Sequence, residues 1–424
     1  MKKIIIPILL AVILILIAFI GYSVYYIQEN PRIAPDNTYT GNLTANYTIP
    51  FKDGTVNLSV SVPASVYYGA AGTQSKTIPY IKISTLSYYA DIINDPLQEE
   101  MYARILSQTE DVRQSRNLTD DEYLELLATF VQSIHYKTEG DYRYPVETVI
   151  DKFGDCDDKS MLLTGLLTRA GFDAVLLVFE EEKHAAVGIK TNDATAYPNT
   201  GGYSVIETTD YSYVTDRSFT FEDGTSLEST PIVITAGDGT KTYTAGYQVE
   251  AIIAYRDKAE EQISLLSSET ESNTGKIESM EETVIGYETK LNAIAALMDE
   301  KISAYNAYVD SANTLTADQK KLNREYASYK ITYDEYMQQW DLLTAEQTKL
   351  LEAAASVMDE YTAYRAEYDA LFEEYEAYFS EYSLTYKTYS STVGEQNRYV
   401  AIYNLIITEP YNREYVYEMV LRAS

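Results

Sequence analysis

Two residue types suited to nucleophilic chemistry are scarce in this sequence: there is one cysteine, Cys156, and two histidines, His135 and His184. Cys156 stands in Gly154-Asp155-Cys156-Asp157-Asp158-Lys159-Ser160. A helical pattern carrying Met161, Leu162, Leu166 and Leu167 follows it to about Arg169, and Gly171 is placed to end that helix. Asp155 is positioned to cap the helix, which puts the thiol in the first turn. There the positive end of the helix dipole favours thiolate. Gly154 permits a sharp entry, and backbone N–H groups at such an end can hold an oxyanion. Asp151, Asp155, Asp157 and Asp158 act the other way, because negative charge nearby raises a thiol pKa. The sequence leaves that balance open. His184 opens a strand pattern running to Ile189 and is the candidate base. A third group must orient the imidazole. Glu207, in Val205-Ile206-Glu207-Thr208-Thr209, is the candidate, with Asp210 as the fallback. His135 is read as structural. The aspartates around Cys156 lack the spacing of a calcium loop, so no metal is expected.

The stretches FVQSIHY, YPVETVIDKFGDCDDKSMLLTGLLTRAGFDAVLLV, HAAVGI and YSVIETT lie within roughly residues 120–215, a quarter of the chain. Together they resemble the archaeal branch of the transglutaminase-like superfamily. The resemblance implies a papain-like core with the cysteine on a helix N-terminus and histidine and aspartate on adjoining strands. It implies Cys156 as nucleophile and His184 as general base, while Glu207 falls where the family usually has aspartate. It further implies acyl transfer at an amide through a thioester, with water or an amine as acceptor and no organic cofactor.

The elements that must position these residues are legible in outline. Residues 28 to about 90 show short alternating stretches such as Thr55-Val56-Asn57-Leu58-Ser59-Val60, which predict strands and turns. A helix starting at Asp120-Asp121-Glu122 carries Tyr123, Leu126, Leu127, Phe130, Val131 and Ile134 on one face. Strands are expected at Ala174–Phe179, His184–Ile189 and Tyr203–Thr208, and a hairpin at Pro231–Thr244 turning on Gly237-Asp238-Gly239.

Beyond residue 246 the character changes. No proline lies between Pro231 and Pro410, and apolar residues recur every three or four positions. One stripe runs from Val249 to Tyr308. A tighter one holds Tyr326, Tyr336, Trp340, Leu350, Tyr361, Tyr364, Tyr368, Tyr375, Tyr378, Tyr382 and Tyr389. This predicts a long antiparallel coiled-coil hairpin with large rings filling its seam. Its break is expected near Ser311-Ala312-Asn313-Thr314, with Thr316-x-x-Gln319 as a capping box restarting the helix. A similar box at Thr344-x-x-Gln347, four heptads on, leaves the register intact.

At the other end, Lys2 and Lys3 precede an apolar run from Ile4 to about Ile20, long enough on hydropathy for one bilayer crossing of roughly 20 residues. The expected organisation is therefore a transmembrane signal-anchor at 1–28, a β-rich N-terminal extension at 29–95, a transglutaminase-like domain at 96–246, a helical hairpin at 247–392 and a C-terminal segment at 393–424. The fold class expected is an α+β papain-like core between a membrane helix and a coiled-coil hairpin. The chain is expected at the cell membrane, single-pass, with its bulk outside the cytoplasm.

The net charge of −31 argues against nucleic acid as a partner, because phosphates are bound by lysine and arginine. The function expected is a membrane-anchored thiol enzyme acting on protein or peptide of the cell envelope through Cys156, His184 and Glu207. Homo-oligomerisation through the coiled coil is possible on the pattern alone. The alternative is a non-catalytic cell-surface structural or interaction protein working through its hairpin.

Overall fold

The structure is a computed structural model that describes residues 11–21, 32–73, 82–138, 142–191, 194–218, 220 and 226–424. The described chain divides into two compact units, residues Met1–Glu260 with Val400–Ser424, and residues Glu261–Tyr399.

The first unit is built on one apolar core. Strands β1 (Asn42–Phe51) and β2 (Gly54–Pro63) form an antiparallel hairpin through the tight turn at Lys52-Asp53. Alternation sends Ala45, Tyr47, Ile49 and Phe51 inward from β1, and Val56, Leu58, Val60 and Val62 inward from β2. Helices α2 (Ala64–Ala71), α3 (Lys82–Ile93), α4 (Glu99–Arg116) and α5 (Asp120–Gln132) follow. The α5 helix starts in a capping box in which Thr119 and Glu122 satisfy one another's backbone N–H. Its Phe130 ring meets Tyr47 edge-on at 5.0 Å. The short strands β3 (His135–Tyr136) and β4 (Phe153–Gly154) pair in parallel, with α6 (Pro145–Asp151) between them in sequence. Helix α7 (Cys156–Arg169) then packs on an antiparallel sheet of order β7-β6-β5-β8: β5 (Ala174–Phe179), β6 (His184–Lys190), β7 (Tyr203–Ile206) and β8 (Ile232–Thr235). Leu176, Ala185, Val187, Ile189 and Ile206 join the main core, while Val175, Leu177, Phe179, Ala186 and Val205 form a smaller cluster with Tyr197. The chain's end returns to this unit as α10 (Arg413–Ala423), where Arg413 pairs with Glu125 at 2.5 Å.

The second unit consists of two long helices, α8 (Gly246–Ala327) and α9 (Tyr333–Thr408), whose outer ends belong to the first unit. They run antiparallel: Gln347 bonds Thr316 at 2.6 Å, Lys301 pairs with Glu360 at 2.6 Å, and Tyr375 donates to Glu288 at 3.2 Å. The less exposed positions of α9 include Tyr336, Trp340, Leu343, Gln347, Leu350, Ala354, Val357, Tyr361, Tyr364, Tyr368, Leu371, Tyr375, Tyr378, Tyr382, Thr385 and Tyr389, a seam of heptad spacing.

Several expectations are corrected. The anticipated membrane span does not appear: among the described residues no helix is long and apolar enough to cross a membrane. The described part of the apolar run, helix α1, covers residues 11–21, about 16 Å of helix against a hydrocarbon core of about 30 Å. The rest of the 1–28 segment lies outside the described residues. The cell-membrane, extracytoplasmic placement rested on that span and falls with it. Nor is the fold a papain-like α+β core: the chain is mostly helical, and among the described residues the sheets are two pairs of strands and one small four-stranded sheet. The expected 231–244 hairpin yields only β8, because the segment beyond it is pressed against another loop. A Cβ at Gly239 would lie 2.0 Å from the Phe172 carbonyl oxygen, and Lys241 and Thr240 donate to Gly171 instead of to a strand partner. Helix α8 also runs straight through Ser311–Thr314. The Ser311 and Thr314 hydroxyls donate to the carbonyls four residues back, which a helix interior tolerates. Thr316 and Gln319 bond to Gln347 and Thr344 across the pair, so both apparent capping boxes are cross-helix contacts. The turn falls at residues 328–332, where Tyr329 takes φ 61° and Thr332 with Glu335 makes the capping box that starts α9.

Phe130 is fully buried between α5 and the β1–β2 hairpin. Phe130→Ala should cost about 3–5 kcal/mol through lost burial and the cavity left behind. Urea unfolding measures this, and a loss under about 1 kcal/mol would mean that the hairpin is not packed on α5 as described.

Candidate active site

Cys156 opens α7. Asp155 caps the helix, its Oδ1 accepting from the N–H groups of Asp157 (3.1 Å) and Asp158 (3.2 Å), while Asp158 accepts from the Asp155 N–H at 3.2 Å. Gly154 is required at the entry, since a Cβ there would stand 2.8 Å from the Asp158 Cβ. The thiol is buried, and the backbone N–H of Ala185 favours its ionised form. Ala185 follows His184 at the start of β6, and its carbonyl accepts from Ser160 at 3.1 Å, so the cysteine helix and the histidine strand are bonded one turn beyond the thiol.

His184 and Glu207 are both about 95 % buried, and His184 Nε2 lies 2.8 Å from Glu207 Oε2. Glu207 follows the last residue of β7, next to β6 in the sheet. Its other oxygen accepts from the N–H groups of Thr208 (2.9 Å) and Thr209 (2.7 Å). Burial pushes the Glu207 carboxyl up. The hydrogen bond and charge of His184, with the Thr209 contacts, outweigh it and hold the group below the ordinary carboxylate range. The longer side chain therefore reaches the imidazole from a strand end. Asp210, the fallback, is exposed and caps its own loop by accepting from Tyr211 N–H. His135 is exposed, and its backbone N–H donates to the Lys152 carbonyl.

The opposing effects on Cys156 resolve upward. Burial raises the thiol pKa most, the Asp157 charge adds to it, and the Ala185 N–H recovers only part. The thiol is thus protonated at neutral pH. Asp157 is pushed up to about 7, first by burial and then by Asp155, against an opposing pull from His184. Asp158 is pushed up to about 8 by burial and Asp155. Ligand atoms of Asp155, Cys156 and Asp157 lie within 4.8 Å of one another, but Asp155 already spends its oxygen on the helix cap. Burial first, and then the charge of Asp155, explains the raised carboxyls of Asp157 and Asp158.

Residues not singled out in the sequence hold this arrangement. Lys159 is wholly buried and donates to the carbonyls of Ile134 (2.7 Å), Thr209 (3.2 Å) and Gln132 (3.3 Å). Burial lowers it to about 8, with the Glu207 and Asp210 charges resisting. Gln132 donates to the Glu207 carbonyl at 2.8 Å, and Ser160 bonds the Ala185 carbonyl and the Thr208 hydroxyl. The available signal was a lysine and a serine at helix positions that face the core. Tyr89 and Tyr142 meet at their hydroxyls (3.3 Å), and burial first and then the Asp157 charge push both up. Tyr136 is 41 % exposed beside the same group, and burial and the nearby Cys156 push its hydroxyl up to about 12. A cavity of about 580 Å³ lies elsewhere, between Thr119–Glu122, Thr240–Gln248 and Arg413–Glu414. None of the Cys–His–Glu residues lines it, and its Asp120–Lys241 and Asp121–Thr244 pairs are satisfied internally.

No protein-family model matches the chain, and neither does any curated protein or solved structure. The terms transglutaminase-like and papain-like therefore gain no support as a classification of this chain, and any functional argument must rest on the site's own geometry.

The raised Asp157 gives a pH dependence with a definite sign. Its folded value near 7 lies above the unfolded value of about 3.9, so the folded chain holds a proton that the unfolded chain has lost. That contribution to stability is fully present below about pH 4 and is lost as the pH rises towards 7. Asp157→Asn should remove part of this slope and shift Cys156 alkylation to lower pH. Unfolding free energies between pH 4 and 8 and iodoacetamide rates test both. An unchanged alkylation profile would mean that Asp157 does not act on the thiol.

Proposed function

We propose that the chain is a cysteine-dependent enzyme of acyl transfer at amide carbonyls, with Cys156 as nucleophile, His184 as general base and acid, and Glu207 as the group that orients and charges the imidazole. The observation that carries this reading is the buried 2.8 Å contact between His184 Nε2 and Glu207 Oε2, next to the helix that Cys156 opens and that Ser160 bonds to the residue after His184.

The chemistry follows from that placement. Glu207 occupies Nε2, which leaves Nδ1 as the atom that exchanges protons with sulfur and substrate. Because the resting thiol is protonated, proton transfer to Nδ1 accompanies attack instead of preceding it. The sulfur forms a bond to the carbonyl carbon, the C–N bond of the amide breaks, and the departing amine takes the proton from His184. Water or a second amine then attacks the thioester, its proton passing to Nδ1, and the thiol is restored as the C–S bond breaks. Glu207 stays ionised throughout and stabilises the imidazolium. The buried thiol and imidazole lie on α7 and β6 and the carboxylate directly after β7, and regular elements hold such a relay more precisely than loops do.

Incubation with p-nitrophenyl acetate, followed by mass spectrometry, should find an acetyl thioester on Cys156. His184→Ala should slow its formation by about a hundredfold, and Glu207→Gln should slow it less. Acylation at equal rates in wild type and both variants would mean a simple thiol without an assembled base, and would overturn the proposal.

A further inference from the structure

Along α9 the rings of Tyr368, Phe372, Tyr375, Phe379, Tyr382, Tyr386 and Tyr389 form an unbroken series. Successive centroids are 5.6–6.4 Å apart: 6.1 Å for 368–372 and 372–375, 5.6 Å for 375–379, 6.1 Å for 379–382 and 382–386, and 6.4 Å for 386–389. The spacing alternates four and three residues, so the rail keeps to one side of the helix for about 32 Å. Its members fall into two sets. Tyr368, Tyr375, Tyr382 and Tyr389 are half-buried in the seam with α8, whereas Phe372 (37 % exposed), Phe379 (41 %) and Tyr386 (51 %) stand seven residues apart outside it. The seam explains the first set. It does not explain why a second heptad row of large rings faces solvent and stacks on the first. Scattered exposed apolar residues are ordinary, but a contiguous row marks an interaction surface.

The charges around the rail select its occupant. From Ala366 to Tyr386 the sequence contains no lysine or arginine. It contains Glu367, Asp369, Glu373, Glu374, Glu376 and Glu381, all exposed, and only Asp369 is engaged by the neighbouring Arg365, at 3.0 Å. The facing helix adds acids: Glu288 accepts from Tyr375, and Glu281 lies close enough to add its charge to the desolvation that raises the Tyr382 hydroxyl. Aromatic faces bordered by carboxylates attract ammonium and guanidinium groups, through the ring quadrupole and through charge pairing together. A second copy of this chain would bring the same acids against them, and at a net charge of −31 like-charge repulsion opposes that approach.

We propose that the Phe372–Phe379–Tyr386 face of α9 is a docking surface for a basic helix of a partner protein, one whose lysine or arginine residues recur at about heptad spacing along one side. The partner's aliphatic stems lie across the exposed rings while its charged heads reach Glu373, Glu376 and Glu381. The proposal is independent of the chemistry at Cys156.

The test uses the full chain and a synthetic 28-residue helical peptide of Ala and Gln with Arg at heptad spacing, with a Glu-for-Arg peptide as control. Calorimetric titration at low salt should show binding of the Arg peptide only, weakening with added salt. The triple variant Phe372→Ala/Phe379→Ala/Tyr386→Ala should lose about tenfold or more in affinity while its helical circular dichroism and melting transition stay unchanged, because the three rings lie outside the seam. If the triple variant's melting transition falls, the single variants Phe379→Ala and Tyr386→Ala carry the same comparison. Equal affinity of wild type and variants would show diffuse charge attraction only and overturn the proposal. So would sedimentation showing a dimer without peptide that the triple variant abolishes, since the face would then belong to a second copy.

Discussion

The constraint on which the site depends is the burial of ionisable groups without enough water to hold them. His184, Glu207, Lys159 and Asp158 are more than nine-tenths covered, and Asp157 is half-buried beside them, within two turns of helix and two strand ends. An uncompensated charge in such a place costs several kcal/mol. The fold compensates each in a specific way. Glu207 has an imidazole and two backbone N–H groups, Lys159 has three carbonyls, and Asp158 has the N–H groups of Arg143 and Asp155. Asp157 has least, and its raised carboxyl is the consequence. These bonds tie α7 to β6, to the residues after β7 and to the end of α5. Satisfying the charges and positioning the thiol are therefore the same structural task.

The two units of the chain answer different physical demands. In the first, strands, loops and short helices share a continuous core, and polar residues enter only as satisfied pairs. In the second, two long helices have only each other to bury against, so few of their residues are fully covered: Ile277, Met280, Val284, Leu291, Ile294, Ala312, Leu322 and Ala354 are among them. Tyrosine suits such a seam because its ring packs while its hydroxyl reaches water or a neighbouring acid. Gln347 with Thr316 and Gln319 with Thr344 add polar contacts that fix the register of one helix on the other.

Much of the site could be read from residue types alone. Asp155 as cap, Cys156 in the first turn, His184 at a strand start and Glu207 beside it are where their spacing put them, because capping and strand alternation are local rules. The position of the thiol's pKa could not be read, since it depends on how far burial outweighs the helix dipole. Lys159 escaped notice because a lysine in the first turn of a helix is ordinarily a solvated charge, although its position shares a face with buried Leu162, Leu163 and Leu166. The seam tyrosines of α9 were legible from period alone. The turn between the helices was not, because Ser311, Thr314 and Thr316 have the composition of a break and are instead satisfied within and across the helices. The apolar N-terminal run gave a hydropathy signal for a span that the described helix at residues 11–21 does not reach.

With only two histidines in the chain, the proposed coupling of Cys156, His184 and Glu207 can be observed directly by nitrogen-15 and proton NMR of the imidazoles. A coupled group should give a slowly exchanging, strongly downfield Nε2 proton, abolished by Glu207→Gln and displaced when Cys156 is alkylated. A His184 ring that exchanges freely, or whose signals ignore both changes, would contradict it.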